Sequence, residues 1–335
     1  MKELSFIIPV YNVEKYIARC LDSIYALPIK MEQFEVLCID DCSPDGSSTI
    51  IEDYQKQHPN LRLIHHEKNG RQGAARNTGI RHASGEYCMF VDADDSLPNL
   101  DLLGQVEYMR QNELELLLGK ANVIAADGTV SKWGLAPDEE SPIMFGPDIF
   151  VGEYIHKVGF GVVWLGINKT ELVQRVPPFL ENEQYEDTDW CFKCAYEAKR
   201  LQYRPVVLYN YHINPASTTT TKSIRSLIEK TKQSLRIYNW ALATQDRRDE
   251  VIFAAEDYGT WNLRGITSIV KYGYKDRRKF YKSFTKQELR TISRWWGGNY
   301  TKLYVRFPIL SQMALCFLHP CYWLYNKVKG LRMRD

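Results

Sequence analysis

The stretch Tyr87-Cys88-Met89-Phe90-Val91-Asp92-Ala93-Asp94-Asp95 decides how the rest of the chain is read. Five apolar residues in a row describe a buried strand, and three carboxylates follow it at once. Like charges set side by side raise one another's proton affinity unless a cation compensates. Hard oxygen ligands favour Mg²⁺ or Mn²⁺, which bind a few carboxylates together with the phosphates of a substrate. The competing reading is a solvated acidic turn in which Asp94 or Asp95 caps the next helix.

Upstream, Leu4–Val10 is a second short apolar run, with Pro9 near its end, where a ladder donor is least needed. Asn12 is placed to cap a helix over Val13–Ala26, whose Tyr16, Ile17, Leu21 and Ile24 share a face. Phe34–Ile39 reads as a strand, Ser47–Gln57 as a helix, Leu61–His65 as a strand and Gly70–His82 as a helix. Strands and helices in this alternation build a mostly parallel, Rossmann-like α/β sheet flanked by helices. Ligands of such sheets bind beyond the carboxyl ends of the strands. Tyr11, Asp41, the Gly70–Gly73 turn and Asp92–Asp95 each follow a strand, so they are expected at one edge.

Past Leu100 the pattern is mixed. Leu114–Ile124 reads as a strand, Gly128–Pro147 as a loop, Lys169–Arg175 as a short helix, Asp189–Arg200 as amphipathic and Pro205–Tyr211 as a strand. From Ser223 on the chain reads as mostly helical. Residues 1–221 hold 20 Lys+Arg against 32 Asp+Glu, a net of −12, and residues 222–335 hold 23 against 9, a net of +14. That asymmetry divides the chain into 1–221 (a nucleotide-binding half, 1–98, and an acceptor and catalytic half, 99–221) and a basic helical region, 222–335. The eight cysteines show no disulfide-framework spacing, Cys20, Cys38 and Cys88 sit in apolar runs and read as reduced core thiols, and the single Cys191-x-x-Cys194 pair lacks the partners of a zinc site.

Each polar motif has two readings. Asp40-Asp41 can accept from a base or a ribose hydroxyl, or cap the following helix with Ser43. Tyr11 can stack on a base or pack in the core. Gly70-Arg71-Gln72-Gly73-Ala74-Ala75-Arg76-Asn77 opens a helix whose glycines let backbone approach an anion, or it is a surface helix. Glu186 or Asp187, in Tyr185–Trp190, can act as a general base or serve a helix N-terminus. His212 can ligate a metal or phosphate, or be structural.

The ordered series Ser5–Asn12, Ile39–Ser47, Gly73–Ile80 and Phe90–Asp95, with Tyr185–Asp189 as a later acidic motif, resembles the family-two glycosyltransferases from residue 4 to about 220. The resemblance implies a GT-A type fold, a nucleotide-sugar donor (most often a UDP-sugar), a divalent metal and inversion at the anomeric carbon. It implies that Pro9, Tyr11, Asp41 and Arg76 hold the donor. With Asp40, Gly73, Asn77, Asp92 and Ala93 they form the expected donor site. Asp92 and Asp94 match the Asp-x-Asp pair, so Asp92, Asp94 and the adjacent Asp95 are the expected ligands of Mn²⁺ or Mg²⁺, with His212 added. Asp187 matches the catalytic base, with Glu186 beside it. One departure stands out: Cys42 occupies the position after the acidic pair where the family usually has glycine.

The expected activity is metal-assisted transfer of a sugar to a hydroxyl of a glycan or lipid-linked saccharide. The alternatives are a non-catalytic nucleotide-sugar-binding scaffold and a sugar nucleotidyltransferase. Tyr11-Asn12 after the first strand, where the latter carries a glycine-rich basic loop, counts against it. Arg306–Val328 interleaves Phe307, Met313, Phe317, Tyr322 and Trp323 with basic residues. It reads either as an interfacial segment on an anionic membrane or as a core-packing helix pair with a basic face. No secretory signal or membrane-spanning stretch is visible, so the expected location is cytoplasmic, with or without peripheral attachment to the inner membrane face, and no nucleic-acid partner is expected.

Overall fold

The computed structural model describes residues 2–134, 136–151, 161–214, 223–264 and 274–295. Arg306–Val328 lies outside the described residues. The chain divides into two compact units, Met1–Thr221 with Ala243–Val251, and Lys222–Leu242 with the chain from Ile252 on.

The first unit is built on one sheet. Its strands are β1 (Lys2–Val10), β2 (Phe34–Asp40), β3 (Leu61–His65), β4 (Gly85–Phe90), β5 (Leu116–Ile124), β6 (Val130–Lys132), β7 (Gly166–Lys169) and β8 (Leu201–His212). They lie in the order β3-β2-β1-β4-β7-β5-β6, and β8 also pairs with β5. β3, β2, β1 and β4 are parallel neighbours, β7 runs antiparallel between β4 and β5, and β8 runs parallel to β5. The mixed α/β, mostly parallel architecture is the expected one. The strand order reverses between β1 and β4, which makes the crevice beyond their carboxyl ends the natural ligand position. Pairing of β1 with β4 ends at Ile7 opposite Phe90, so Pro9 lies past the last pair and its missing N–H interrupts no bond there.

Alternate residues of β1 face opposite layers. Leu4, Phe6, Ile8 and Val10 pack with α1 (Ile17–Tyr25), α2 (Ser47–Gln55) and α4 (Leu102–Gln111). On the other face, Ile7 meets α3 (Arg71–His82) so closely that a Cβ on Gly79 would sit 2.3 Å from the Ile7 side chain. α5 (Thr170–Arg175) and α6 (Glu186–Glu197) complete this unit, with Trp190 of α6 edge-on to Phe90. Cys20, Cys38, Cys88, Cys191 and Cys194 are buried free thiols.

α1 begins a turn later than its apolar spacing predicts. Asn12 does not cap it but adopts a left-handed φ of 56°. The N–H groups of Asn12, Val13 and Glu14 donate to Ser43 and Asp45 of the β2–α2 loop and to Ser47 at the start of α2, so the helix forms only after they are spent. The Gly128–Pro147 stretch, expected as loop, contains β6, a three-residue edge strand on β5. Three exposed residues are too few to show a strand period.

In the second unit the described residues form α7 (Ile224–Ala241), α8 (Arg248–Arg264, which starts in the first unit), α9 (Tyr274–Lys282) and α10 (Lys286–Trp295). Ile228, Leu235, Ile237, Phe280, Ile292 and Trp295 are buried. Trp295 sits edge-on to Tyr238 and against Gly259, where a Cβ would come within 2.9 Å of the indole. Among the described residues no helix is long and apolar enough to cross a membrane.

Candidate active site

The carboxyl ends of β1, β2, β3, β4 and β8 bring the polar motifs to one edge. Tyr11, at the end of β1, is 50% exposed and so belongs to the mouth of the crevice rather than to the core. At the end of β2, Asp40 takes the capping role that the sequence leaves open, whereas both carboxylate oxygens of Asp41 are bonded to protein. Asp40 accepts from the Ser43 N–H (2.9 Å) and the Ser48 hydroxyl (2.9 Å) and pairs with His65. Burial pushes its carboxyl up, but these hydrogen bonds outweigh burial and hold it below the ordinary range. Asp41, 2% exposed, binds the β3–α3 junction: Oδ1 accepts from Gly70 N–H (2.8 Å) and meets His66 Nδ1 (2.8 Å), and Oδ2 accepts from Arg71 N–H (2.7 Å). Cys42 then takes φ of 60°, the left-handed conformation for which glycine is the usual residue. Its thiol donates to the His66 carbonyl at 2.9 Å.

Two residues expected to touch the donor are committed to protein instead. A Cβ on Gly73 would lie 2.2 Å from the carbonyl oxygen of Leu180, so the close approach at this glycine is to backbone. The side chain of Asn77, 5% exposed, donates to the Phe179 carbonyl (2.9 Å) and Glu181, and accepts from Phe179 N–H (2.9 Å). Together they hold the segment that leads into α6. Ala93, 3% exposed, contributes backbone and a small volume to the acidic turn.

Arg76, 2% exposed, joins the acidic motifs. Its guanidinium donates to Asp92 Oδ1 (2.9 Å) and to Glu186 Oε1 (2.5 Å), joining positions 110 residues apart, and lies over the Phe179 ring. Burial disfavours the charged form, but Asp92, Glu186 and Asp187 outweigh it and raise the pKa. Glu186, 4% exposed, is thereby spent as a counter-ion. Asp187 is partly exposed at the first turn of α6. Burial and the neighbouring Glu186 push its carboxyl up to about 7, against the opposing pull of Arg76.

The acidic turn is unequal in its three carboxylates. Asp92 and Asp94 are half-buried, and burial and the charge of Asp92 raise the proton affinity of Asp94. Asp94 Oδ2 accepts from Asn214 (3.0 Å), and its backbone carbonyl accepts from Arg19. Asp95 is 1% exposed and turned inward, where Oδ2 accepts from the Tyr209 hydroxyl (2.9 Å) and Oδ1 from His212 N–H (2.7 Å). Burial, Asp92 and Asp94 push it up to about 8. His212 Nε2 meets the Ser96 hydroxyl at 2.9 Å. Among the described residues no three His, Cys, Asp or Glu side chains converge as a ready cation cage. The donor set that fits Mn²⁺ or Mg²⁺ is Asp92 with Asp94, completed by phosphate oxygens, since these ions need only one or two carboxylates when a substrate supplies the rest. Asp95 and His212, as placed, do not present themselves to it.

Tyr209, Asn214 and Arg19 were not foreseen. Tyr209 lies inside the expected strand Pro205–Tyr211, but its partners are more than a hundred residues away, and no local pattern marks them.

Residues 5–166 match the model of glycosyl transferase family 2. The chain is 39% identical over 127 residues to a poly(ribitol-phosphate) beta-glucosyltransferase of Bacillus spizizenii, covering 38% of this chain and 20% of that protein. It is 31% identical over 221 residues to the uncharacterized glycosyltransferase EpsJ of Bacillus subtilis, covering 64% of this chain and 62% of that one. It thus spans less than two-thirds of either relative. In fold it resembles the Staphylococcus aureus TarS fragment 1–349 crystallised with UDP-GlcNAc, with a TM-score of 0.71, 19% identity and coverage of 93% and 88%. It also resembles a Pyrobaculum calidifontis mannosyltransferase in complex with GDP-Man and Mn²⁺, at a TM-score of 0.55, 17% identity and coverage of 92% and 88%. The sheet order and the structural likenesses show a GT-A type fold, and the run of motifs along its carboxyl edge lies largely within the residues that match glycosyl transferase family 2.

Proposed function

We propose that the protein transfers a sugar from a UDP-sugar to a hydroxyl of a glycan or polyol polymer, with inversion at the anomeric carbon. The observation that carries this reading is the Arg76 bridge. It ties Asp92 to Glu186, and Asp187 lies near enough to Arg76 and Asp92 for their charges to act on it, which supports a site where a leaving diphosphate and an attacking hydroxyl meet. Two likenesses support the substrate classes: the UDP-GlcNAc complex of TarS for the donor, and the poly(ribitol-phosphate) named for the Bacillus spizizenii relative for the acceptor.

In this reading Asp187 takes the proton from the acceptor hydroxyl. The oxygen attacks the anomeric carbon from the side opposite the diphosphate, and the bond to the diphosphate breaks with its electron pair. A base with a pKa near the working pH serves this step well, and the raised proton affinity of Asp187 suits it. Mn²⁺ or Mg²⁺ held by Asp92 and Asp94 would neutralise charge on the leaving group. Tyr11, at the exposed end of β1, offers a face for the base. Arg76 and Glu186 orient Asp92 and α6.

The test is release of UDP from UDP-glucose and UDP-GlcNAc, with water or a polyol-phosphate polymer as acceptor. Asp187→Asn is expected to lower the rate by about 10²- to 10⁴-fold, the usual share of a general base, while UDP binding stays within about twofold. A variant that keeps near-parental turnover removes Asp187 from the role.

A further inference from the structure

We propose that Tyr209 is the positioning residue of the cation-binding turn, and that Asp95 serves Tyr209 rather than the cation. This rests on the reading of Asp92 and Asp94 given above. The Tyr209 hydroxyl accepts from the Asp92 backbone N–H (2.9 Å) and donates to Asp95 Oδ2 (2.9 Å), so one oxygen joins the backbone at the start of the turn to the carboxylate at its end. It is fully buried, and its ring stacks on Trp164 with centroids 4.5 Å apart, which leaves the hydroxyl one direction to point. β8 supports the same turn at three further points. Ser96 and Asn210 exchange backbone hydrogen bonds as an antiparallel bridge, and His212 N–H closes on Asp95 Oδ1.

The chemistry follows from directionality. A phenol that accepts from Asp92 N–H needs an acceptor for its own proton, and Asp95 is that acceptor. The third carboxylate is therefore buried and spent. Its use is to fix the backbone from which the Asp92 and Asp94 side chains project. Partners one bond removed from a metal ligand commonly set affinity by about 10- to 100-fold.

The test uses the full chain and UDP as probe, with binding measured by calorimetry in Mn²⁺ and again in chelator. Tyr209→Phe keeps the stacked ring and removes only the hydroxyl. It should weaken UDP binding in Mn²⁺ by about tenfold or more, while binding in chelator stays within about twofold. Equal losses in Mn²⁺ and chelator would show a merely structural role, and no loss in either would likewise overturn the proposal. Asp95→Asn, which keeps the side-chain volume, is the second variant and serves if Tyr209→Phe does not fold. The same selective loss is expected, because its single carbonyl oxygen can accept from the Tyr209 hydroxyl or from His212 N–H but not from both. Selective loss in Asp95→Asn with none in Tyr209→Phe would make Asp95 a cation ligand and end the proposal. If the parent protein itself gains nothing from Mn²⁺, the donor-site reading fails, and the proposal falls with it.

Discussion

Asn12, Cys42, Arg71 and Tyr185 are non-glycine residues with φ between 56° and 68°, and each stands where the chain turns at the crevice. Such conformations cost about 1–3 kcal/mol each and persist where the surroundings hold them. Cys42 is the clearest case, because the glycine usual at its position would adopt this φ without strain. It keeps the turn through its thiol contact with the His66 carbonyl and through Asp40 accepting from Ser43 N–H directly after it. A β-branched residue has neither the thiol nor the freedom to adopt this φ. Cys42→Val is therefore expected to lose about 1–3 kcal/mol in denaturant unfolding, with Cys42→Gly at or above the parent. A Val variant as stable as the parent would show that this turn carries no strain.

At the scale of the element, α3 is the part whose burial is least expected from its composition. Its residues Gly73 to Ile80 are all buried, polar ones included, because the helix lies between the sheet and the 179–186 segment. Its hydrophobic periodicity is weak, so the amphipathic signal that finds α1 does not describe it. What holds it is close approach at Gly73 and Gly79, the Asn77 clamp and the Arg76 bridge. Gly73→Ala should consequently cost at least about 1–3 kcal/mol, the usual range for overpacking, since the obstacle is the Leu180 carbonyl rather than a flexible side chain. Because that segment leads into α6, the variant should also lose turnover beyond its loss of stability. Parental stability and turnover in Gly73→Ala would mean that the contact is not made.

Across the whole molecule, the crevice gathers more negative charge than its burial tolerates. Asp187 holds its proton in the fold up to about 7, whereas an unfolded chain releases it near the ordinary carboxylate value of about 4. The folded state therefore binds more protons between these limits, and its stability falls as pH rises through them. His212, lowered by burial and by Arg19, acts in the opposite sense, but only below its ordinary value of about 6.5. The melting temperature of the ligand-free protein should accordingly fall between pH 6.5 and 7.5. A melting temperature that is flat or rises over this interval would contradict the charge balance drawn here.

The alternation of apolar runs and turn residues through residue 98 was enough to determine the parallel half of the sheet and to bring Tyr11, Asp41, Gly70 and Asp92–Asp95 to one edge. Successive βαβ units leave little choice once strand and helix lengths are known. The acidic motifs were equally legible, since carboxylates directly after an apolar strand need a compensating charge. Which carboxylate does what was decided only by tertiary structure. Asp94 and Asp95 are adjacent in sequence, yet one faces the crevice and the other faces Tyr209 on a strand more than a hundred residues away. Gly73 and Asn77 read like ligand contacts, but they turn to a segment that arrives only when the chain is folded. A hydrogen bond depends on direction and on a partner within about 3 Å, and for distant partners both are set by packing rather than by order along the chain.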